Sequence, residues 1–437
     1  MRRLAVDARN LPIVAGALCA AAFALLLVPR LLAAALGVEC LAAAFWLSAR
    51  AAQDPATPLH RWEWLRRPAT ALWVATLLQM LERVVVRDGI STDGLPYLFV
   101  VTTARLAVCW AGLDLIGALP GARTFTDRSG PLPGGGFRMP ALLPPAGALL
   151  FLRQSAAWSI DFRGIDVVQV VLVLAALIAA LRAFGRNSWR RCLRWLLVTE
   201  CALAALLTSV AVLRSSVALA LWAGACGGLA LWLIAEHRGA ALRRTPELIQ
   251  LWRLAGWTST TALGWPLLLG YVHGLQRRPV LAIVVALVGA LVAWVVVRRP
   301  QPAPERRGVG RPVPLVTFHR VAAVATLLLG PMSLAAAWSM GFRAPLAEGL
   351  LAFLPFALGG GLAAAPSLPL PSVAMRGFAH TLFHLVARAE HQLVVRTGRS
   401  GRVLASPLRD LHAGDAQEYL LFLVGMCVLM LLIPVLQ

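Results

Sequence analysis

The stretch FGRNSWRRCLRWLLVTECALAALL, Phe184 to Leu207, joins a cluster of arginines directly to an apolar run that carries one acid, Glu200. Arg186, Arg190, Arg191 and Arg194 crowd its first half, while its second half is apolar apart from Thr199 and Glu200. Two readings compete. The arginines either hold the end of a membrane helix at the lipid surface, or they and Glu200 belong to a charge relay. In both readings the stretch is a helix meeting a bilayer, because a basic head followed by a long apolar run matches the boundary between headgroups and hydrocarbon.

The remainder of the chain has the same grain. Of its 437 residues 59% are hydrophobic and 14% charged, and the mean hydropathy is +0.74. A water-soluble core cannot absorb so much apolar surface. The apolar runs are roughly 18 to 22 residues long and apolar on every side, as a hydrocarbon layer about 30 Å thick requires. The fold class is therefore an all-α polytopic membrane protein, a single transmembrane domain over residues 1–437. About thirteen spans are expected, near 11–28, 31–48, 69–86, 96–118, 141–158, 165–184, 195–213, 215–235, 254–275, 279–297, 315–340, 345–366 and 418–436.

The net charge of +21 would fit nucleic-acid binding if the arginines shared one face. They sit instead between the apolar runs, so no nucleic-acid partner is expected and the partner of these charges is the lipid bilayer. All 41 basic residues are arginine. With the N-terminus inside, roughly thirty arginines fall in inside loops, among them Arg61, Arg128, Arg243 and Arg306, and about eight outside, among them Arg30, Arg163 and Arg277. This imbalance implies an N-in, C-out topology with an odd number of spans. The N-terminal run is read as an uncleaved first helix, since further spans follow at once.

Two places interrupt the helical pattern. GALPGARTFTDRSGPLPGGGFRMPALLPPAG, Gly117 to Gly147, reads as a loop and then a span broken at Pro144 and Pro145. GGGLAAAPSLPLPSVAMRG, Gly359 to Gly377, ends a span and leads to FAHTLFHLVARAEHQLVV. There Phe378, Leu382, Leu385, Val386 and Leu393 share one side and His384, Arg388 and Glu390 another, which predicts an interfacial amphipathic helix over 377–394.

Seven cysteines form no C-x-x-C pair and the eight histidines are scattered, His380, His384 and His391 being the nearest group. No metal site and no cofactor are expected, and no phosphate loop or nucleophile elbow gives the chain a catalytic site of its own. Ionisable residues inside the spans are the remaining candidates, since each costs about 2.5–3.5 kcal/mol on insertion scales. Glu82, Arg83, Asp166 and Arg182 lie near span ends, where they can snorkel. Glu39 does not. It stands mid-span and requires protonation, a wet cavity, or a base on another helix, for which Arg105 is the nearest mid-span choice. Glu39 and Arg105 are therefore expected to meet in the bundle interior.

The order of these features resembles the antiporter-like membrane subunits shared by respiratory complex I, group 4 membrane hydrogenases and Mrp-type cation/proton antiporters. LLAAALGVECLAAAFWLSARA resembles the family helix bearing a buried glutamate, a role that would fall to Glu39. LFVVTTARLAVCWAGLDLIGALPG, continued by RMPALLPPAGALLFLRQ, is similar to the broken helix with its lysine, near which Arg105 stands. Ser188, Trp189, Arg190 and Arg191, then Thr199 and Glu200, occupy the places of a Lys-Arg motif and the span it opens. LALWAGACGGLALWLIAEHRG resembles the helix that bears a histidine and a lysine four apart, yet Gly224 and Gly228 stand there. LGWPLLLGYVHG looks like the second broken helix, with His273 near its polar position, and SPLRDLHAGDAQEYLLFLVGMCVLMLL is similar to the last span.

The resemblance implies a multi-pass protein of a bacterial inner membrane, a subunit working with other membrane subunits and a cytoplasmic catalytic subunit. The proton-path candidates are Glu39, Arg105, Glu200 and His273, with Arg190 and Arg191 as anchor or partner contact. Every lysine of the family pattern is missing, and arginine cannot release a proton as a desolvated lysine can. The expectation is therefore a degenerate path with a coupling or docking role, ahead of an active proton or cation translocator. A polyprenyl-phosphate glycosyltransferase or flippase ranks last, for want of acidic loops or a large soluble domain.

Overall fold

The computed structural model describes residues 11–51, 60–87, 95–117, 142–154, 165–185, 189–207, 215–239, 246–273, 279–298, 313–342, 345–364 and 392. Among these residues there are twelve helices and no strands. They are α1 (Leu11–Leu27), α2 (Leu31–Ala51), α3 (His60–Arg87), α4 (Leu95–Ile116), α5 (Leu143–Gln154) and α6 (Ile165–Gly185). The chain continues with α7 (Trp189–Leu206), α8 (Ser215–Gly239), α9 (Pro246–His273), α10 (Pro279–Arg298), α11 (Val313–Ser339) and α12 (Leu346–Ala364). Four segments, Ser216–Ala235, Pro279–Arg298, Thr317–Ser339 and Leu346–Ala364, are long and apolar enough to cross a bilayer. The chain is a membrane protein. The expected amphipathic helix at 377–394 and the last span lie outside the described residues.

Local sequence explains where the helices start and stop. Prolines open α9 and α10 at Pro246 and Pro279, where the missing N–H would have had no partner and the fixed φ already suits a helix. Gly117 after α4 and Gly341 after α11 adopt φ of +83° and +92°, the left-handed conformation that closes a helix at little cost only for glycine.

The two broken helices expected, at Pro144–Pro145 and around Pro266, are corrected by the structure. Pro144 and Pro145 fall in the first turn of α5, where no intrahelical bond is lost, and α9 runs unbroken through Pro266. Both proline sites are buried in the bundle all the same, and the carbonyl of Pro145 accepts a hydrogen bond from Trp222 Nε1 at 3.2 Å. A carbonyl at membrane depth needs such a partner.

Two apolar cores hold the bundle. One lies among α1 to α5 and includes Leu26, Val38, Leu72 and Leu149. The other runs from α4 to α12 around Trp232, Trp252, Leu196 and Phe356. α4 and α5 belong to both, because Val108 and Ala146 face the first core while Cys109 and Phe151 face the second. The outer surface is studded with Ile283, Leu287, Leu350, Leu354 and Leu358, all exposed, as a lipid-facing surface requires.

Candidate functional site

Glu200 sits at the centre of the larger core. It lies on α7, which packs against α5, α6, α8 and α9, and it is 1% exposed. Its Oε2 has no hydrogen-bond partner among the described residues. The neighbouring Thr199 turns its hydroxyl onto its own helix, to the carbonyl of Trp195 at 2.9 Å. Cys201 brings its sulfur within 3.6 Å of Cys226 on α8. Glu200 is thus a polar atom in an apolar wall, and it can exchange a proton only where water or another side chain reaches it.

At the mouth of α7 the helix begins earlier than the apolar run implies, at Trp189, so Arg190 and Arg191 occupy its first turn. The helix is continuous from there to Glu200, a rise of roughly 15 Å. Direct pairing across that distance is ruled out, so Arg190 and Arg191 are a device separate from Glu200. The mouth is built of stacked indoles. Trp189 meets Trp232 at 5.1 Å between centroids, and Trp232 lies flat on Trp252 at 5.0 Å and 11°. Gly256 makes room for them, since a Cβ there would collide with the Trp232 ring.

The other expected site residues do not converge on Glu200. Glu39 was expected inside the bundle against Arg105, and this is corrected: Glu39 is exposed on the outer face of α2. Its Oε1 accepts a hydrogen bond from Trp73 Nε1 on α3 at 3.3 Å. Arg105 is half-buried on α4, and α3 packs against both α2 and α4. The physical reason is that α2 is apolar all round, so its sequence holds no stripe that would turn Glu39 inward. His273 is the last residue of α9 rather than a mid-helix group, and its side chain lies outside the described residues, as do those of Arg190 and Arg191.

Arg182 departs from the snorkelling role expected of it. It is 9% exposed, with its guanidinium over the ring of Trp195 at 4.6 Å. His319 on α11 was missed, although it is 1% exposed within an expected span. Also missed was a set of buried hydroxyls where α8, α9 and α11 meet. Ser259 Oγ donates to the carbonyl of Ala225 at 3.2 Å, and Thr326 Oγ1 donates to Ala322 at 2.8 Å and lies 3.2 Å from the carbonyl of Gly228. Gly224 and Gly228 permit this approach. A Cβ on Gly224 would strike Ser333 Oγ and come within 2.9 Å of the Leu329 carbonyl, and one on Gly228 would lie 2.6 Å from Ser259 Oγ. The run Thr258 to Thr261, four hydroxyl residues in an apolar helix, was the available signal.

No protein-family model matches this chain, and no curated protein matches it.

Proposed function

We propose that the protein is a membrane subunit related to the antiporter-like subunits, that its proton path is degenerate, and that it couples or docks a catalytic partner at the membrane. The assembly in view is complex I-like, hydrogenase-like or inorganic-carbon-linked. The observation that supports this reading best is the closed junction at Gly224 and Gly228. Where the resemblance calls for a histidine and a lysine, a Cβ on Gly224 would meet the Leu329 carbonyl of α11 and one on Gly228 would meet the side chains of Ser259 and Thr326, while Ser259 and Thr326 spend their hydroxyls on backbone carbonyls. Hydroxyls bonded to carbonyls knit helices together and carry no titratable group. In this reading the chain crosses a bacterial inner membrane about thirteen times, N-in and C-out, and presents arginine-rich loops to a cytoplasmic subunit.

A second reading, an active proton or cation translocator, draws on Glu200, whose buried carboxyl has an unbonded oxygen. Reconstitution into liposomes separates the two. Proton uptake driven by a potassium diffusion potential is expected to match that of protein-free liposomes, with Glu200→Gln and Glu39→Gln no different. Protein-dependent uptake that falls in Glu200→Gln overturns the docking reading in favour of translocation. Co-expressed with its membrane partners, the double variant Arg190→Ala, Arg191→Ala is expected to lose the cytoplasmic subunit or to invert its topology.

A further inference from the structure

A groove of about 420 Å³ opens on the outer face where α9 begins and α10 and α12 end, within the range of small-molecule sites. Gln250, Arg253, Leu254 and Trp257 line it from α9, and Gly360 and Gly361 from α12. We propose that this groove binds the headgroup of an anionic phospholipid.

Charge, shape and position select that occupant. Arg253 is half-buried in the groove wall and Gln250 is exposed beside it, which offers a guanidinium and an amide to one phosphate. At the rim, Arg298 donates to the Ala363 carbonyl at 3.4 Å, so its charge offsets the negative end of α12 that would otherwise repel an anion. Among the described residues that line the groove none is acidic, and Glu247 is the acid of α9's first turn. It is exposed and does not line the groove.

The floor suits the glycerol and the upper acyl chain. Trp257 packs closely against α12: a Cβ on Gly360 would stand 2.8 Å from its Nε1, and that nitrogen donates to the Phe356 carbonyl at 3.3 Å. Gly360, which Trp257 faces, is about one turn from the end of α12, and an indole level with the end of a span belongs among headgroups. From Gly361 the exposed Leu358 and Leu354 continue along α12, three and seven residues back and so on one face, and Leu254 is 50% exposed opposite. A free anion would need none of this apolar track. The position fits too, since the chain enters α9 after Arg243 and Arg244 and leaves α10 into Arg299, Arg306, Arg307 and Arg311. Basic pockets between helices on such a face hold acidic headgroups.

The test follows thermal unfolding of the full chain in neutral detergent while dioleoylphosphatidylglycerol, dioleoylphosphatidylcholine or inorganic phosphate is added. Phosphatidylglycerol is expected to raise the midpoint, and the other two are not. Arg253→Gln is expected to raise the half-maximal lipid concentration about fivefold, the loss of one basic residue near an anionic surface. Gly361→Leu is the steric control, because a Cβ at Gly361 meets nothing within 4 Å; it does not lower the lipid-free midpoint and abolishes the lipid response. Equal shifts with phosphatidylcholine, or a Gly361→Leu variant that responds like the wild type, overturn the proposal. A full shift with inorganic phosphate alone overturns it in favour of a free-anion site.

Discussion

Thr326 on α11 places its hydroxyl oxygen 3.2 Å from the backbone carbonyl oxygen of Gly228 on α8. The contact requires a glycine, because a Cβ at 228 would lie 3.1 Å from Thr326 Cγ2 as well as against Ser259. In lipid there is no hydrophobic force to draw helices together, and small residues that let backbones approach supply the packing instead.

Alanine substitution along this face of α8 gives a graded outcome. Gly224→Ala meets the Leu329 carbonyl, which is backbone and cannot swing aside, and Gly228→Ala meets two side chains; each is expected to cost about 1–3 kcal/mol. Gly227→Ala finds only Leu329 Cδ1 at 4.0 Å and is expected to be neutral or stabilising, since alanine is the better helix former. Thermal unfolding in detergent ranks the three, and equal midpoints for all of them would show that the α8–α11 contact is looser than described.

The exposure of Glu39 and the burial of Glu200 predict opposite chemical reactivity. Dicyclohexylcarbodiimide partitions into lipid and attacks carboxylic acids it can reach. Peptide mapping of the treated, purified chain is expected to find the adduct on Glu39, which is exposed, and not on Glu200, which is 1% exposed. Labelling of Glu200 with Glu39 spared would reverse the placement of both.

Arg182 and Trp195 form a cation–π pair between α6 and α7, and Arg182 also lies in the last turn of α6, where a positive charge complements the helix dipole. A double-mutant cycle of Arg182→Met and Trp195→Leu is expected to give a coupling of about 0.5–2 kcal/mol. A coupling indistinguishable from zero would mean that the guanidinium draws its stabilisation elsewhere.

Much of the architecture can be read without coordinates. Helix starts and stops depend on neighbours within a few residues, so the span boundaries expected near 118, 279 and 340 agree with those at Gly117, Pro279 and Gly341, whereas the helix opened by Pro246 starts before the expected span near 254. Where boundaries move, polar residues are the reason: α7 extends back to Trp189 across three arginines because the Trp189, Trp232 and Trp252 rings pack its first turn. Pro144 and Pro266 were misread as breaks because a proline's cost depends on its place in a helix, and in the bundle Pro266 is enclosed by its neighbours.

The sequence by itself determined that this chain is helical and lives in a membrane, since run length, apolar content and the placing of proline and glycine are properties of the chain alone. Only the tertiary structure decided which side of each helix faces in. A helix that is apolar all round carries no stripe to announce its buried face, and lipid covers such a face as readily as protein does. For that reason Glu39 turned out exposed, Arg182 turned out buried, and Gly224 and Gly228 proved to be where neighbouring helices pack too closely for a side chain to be added without displacement.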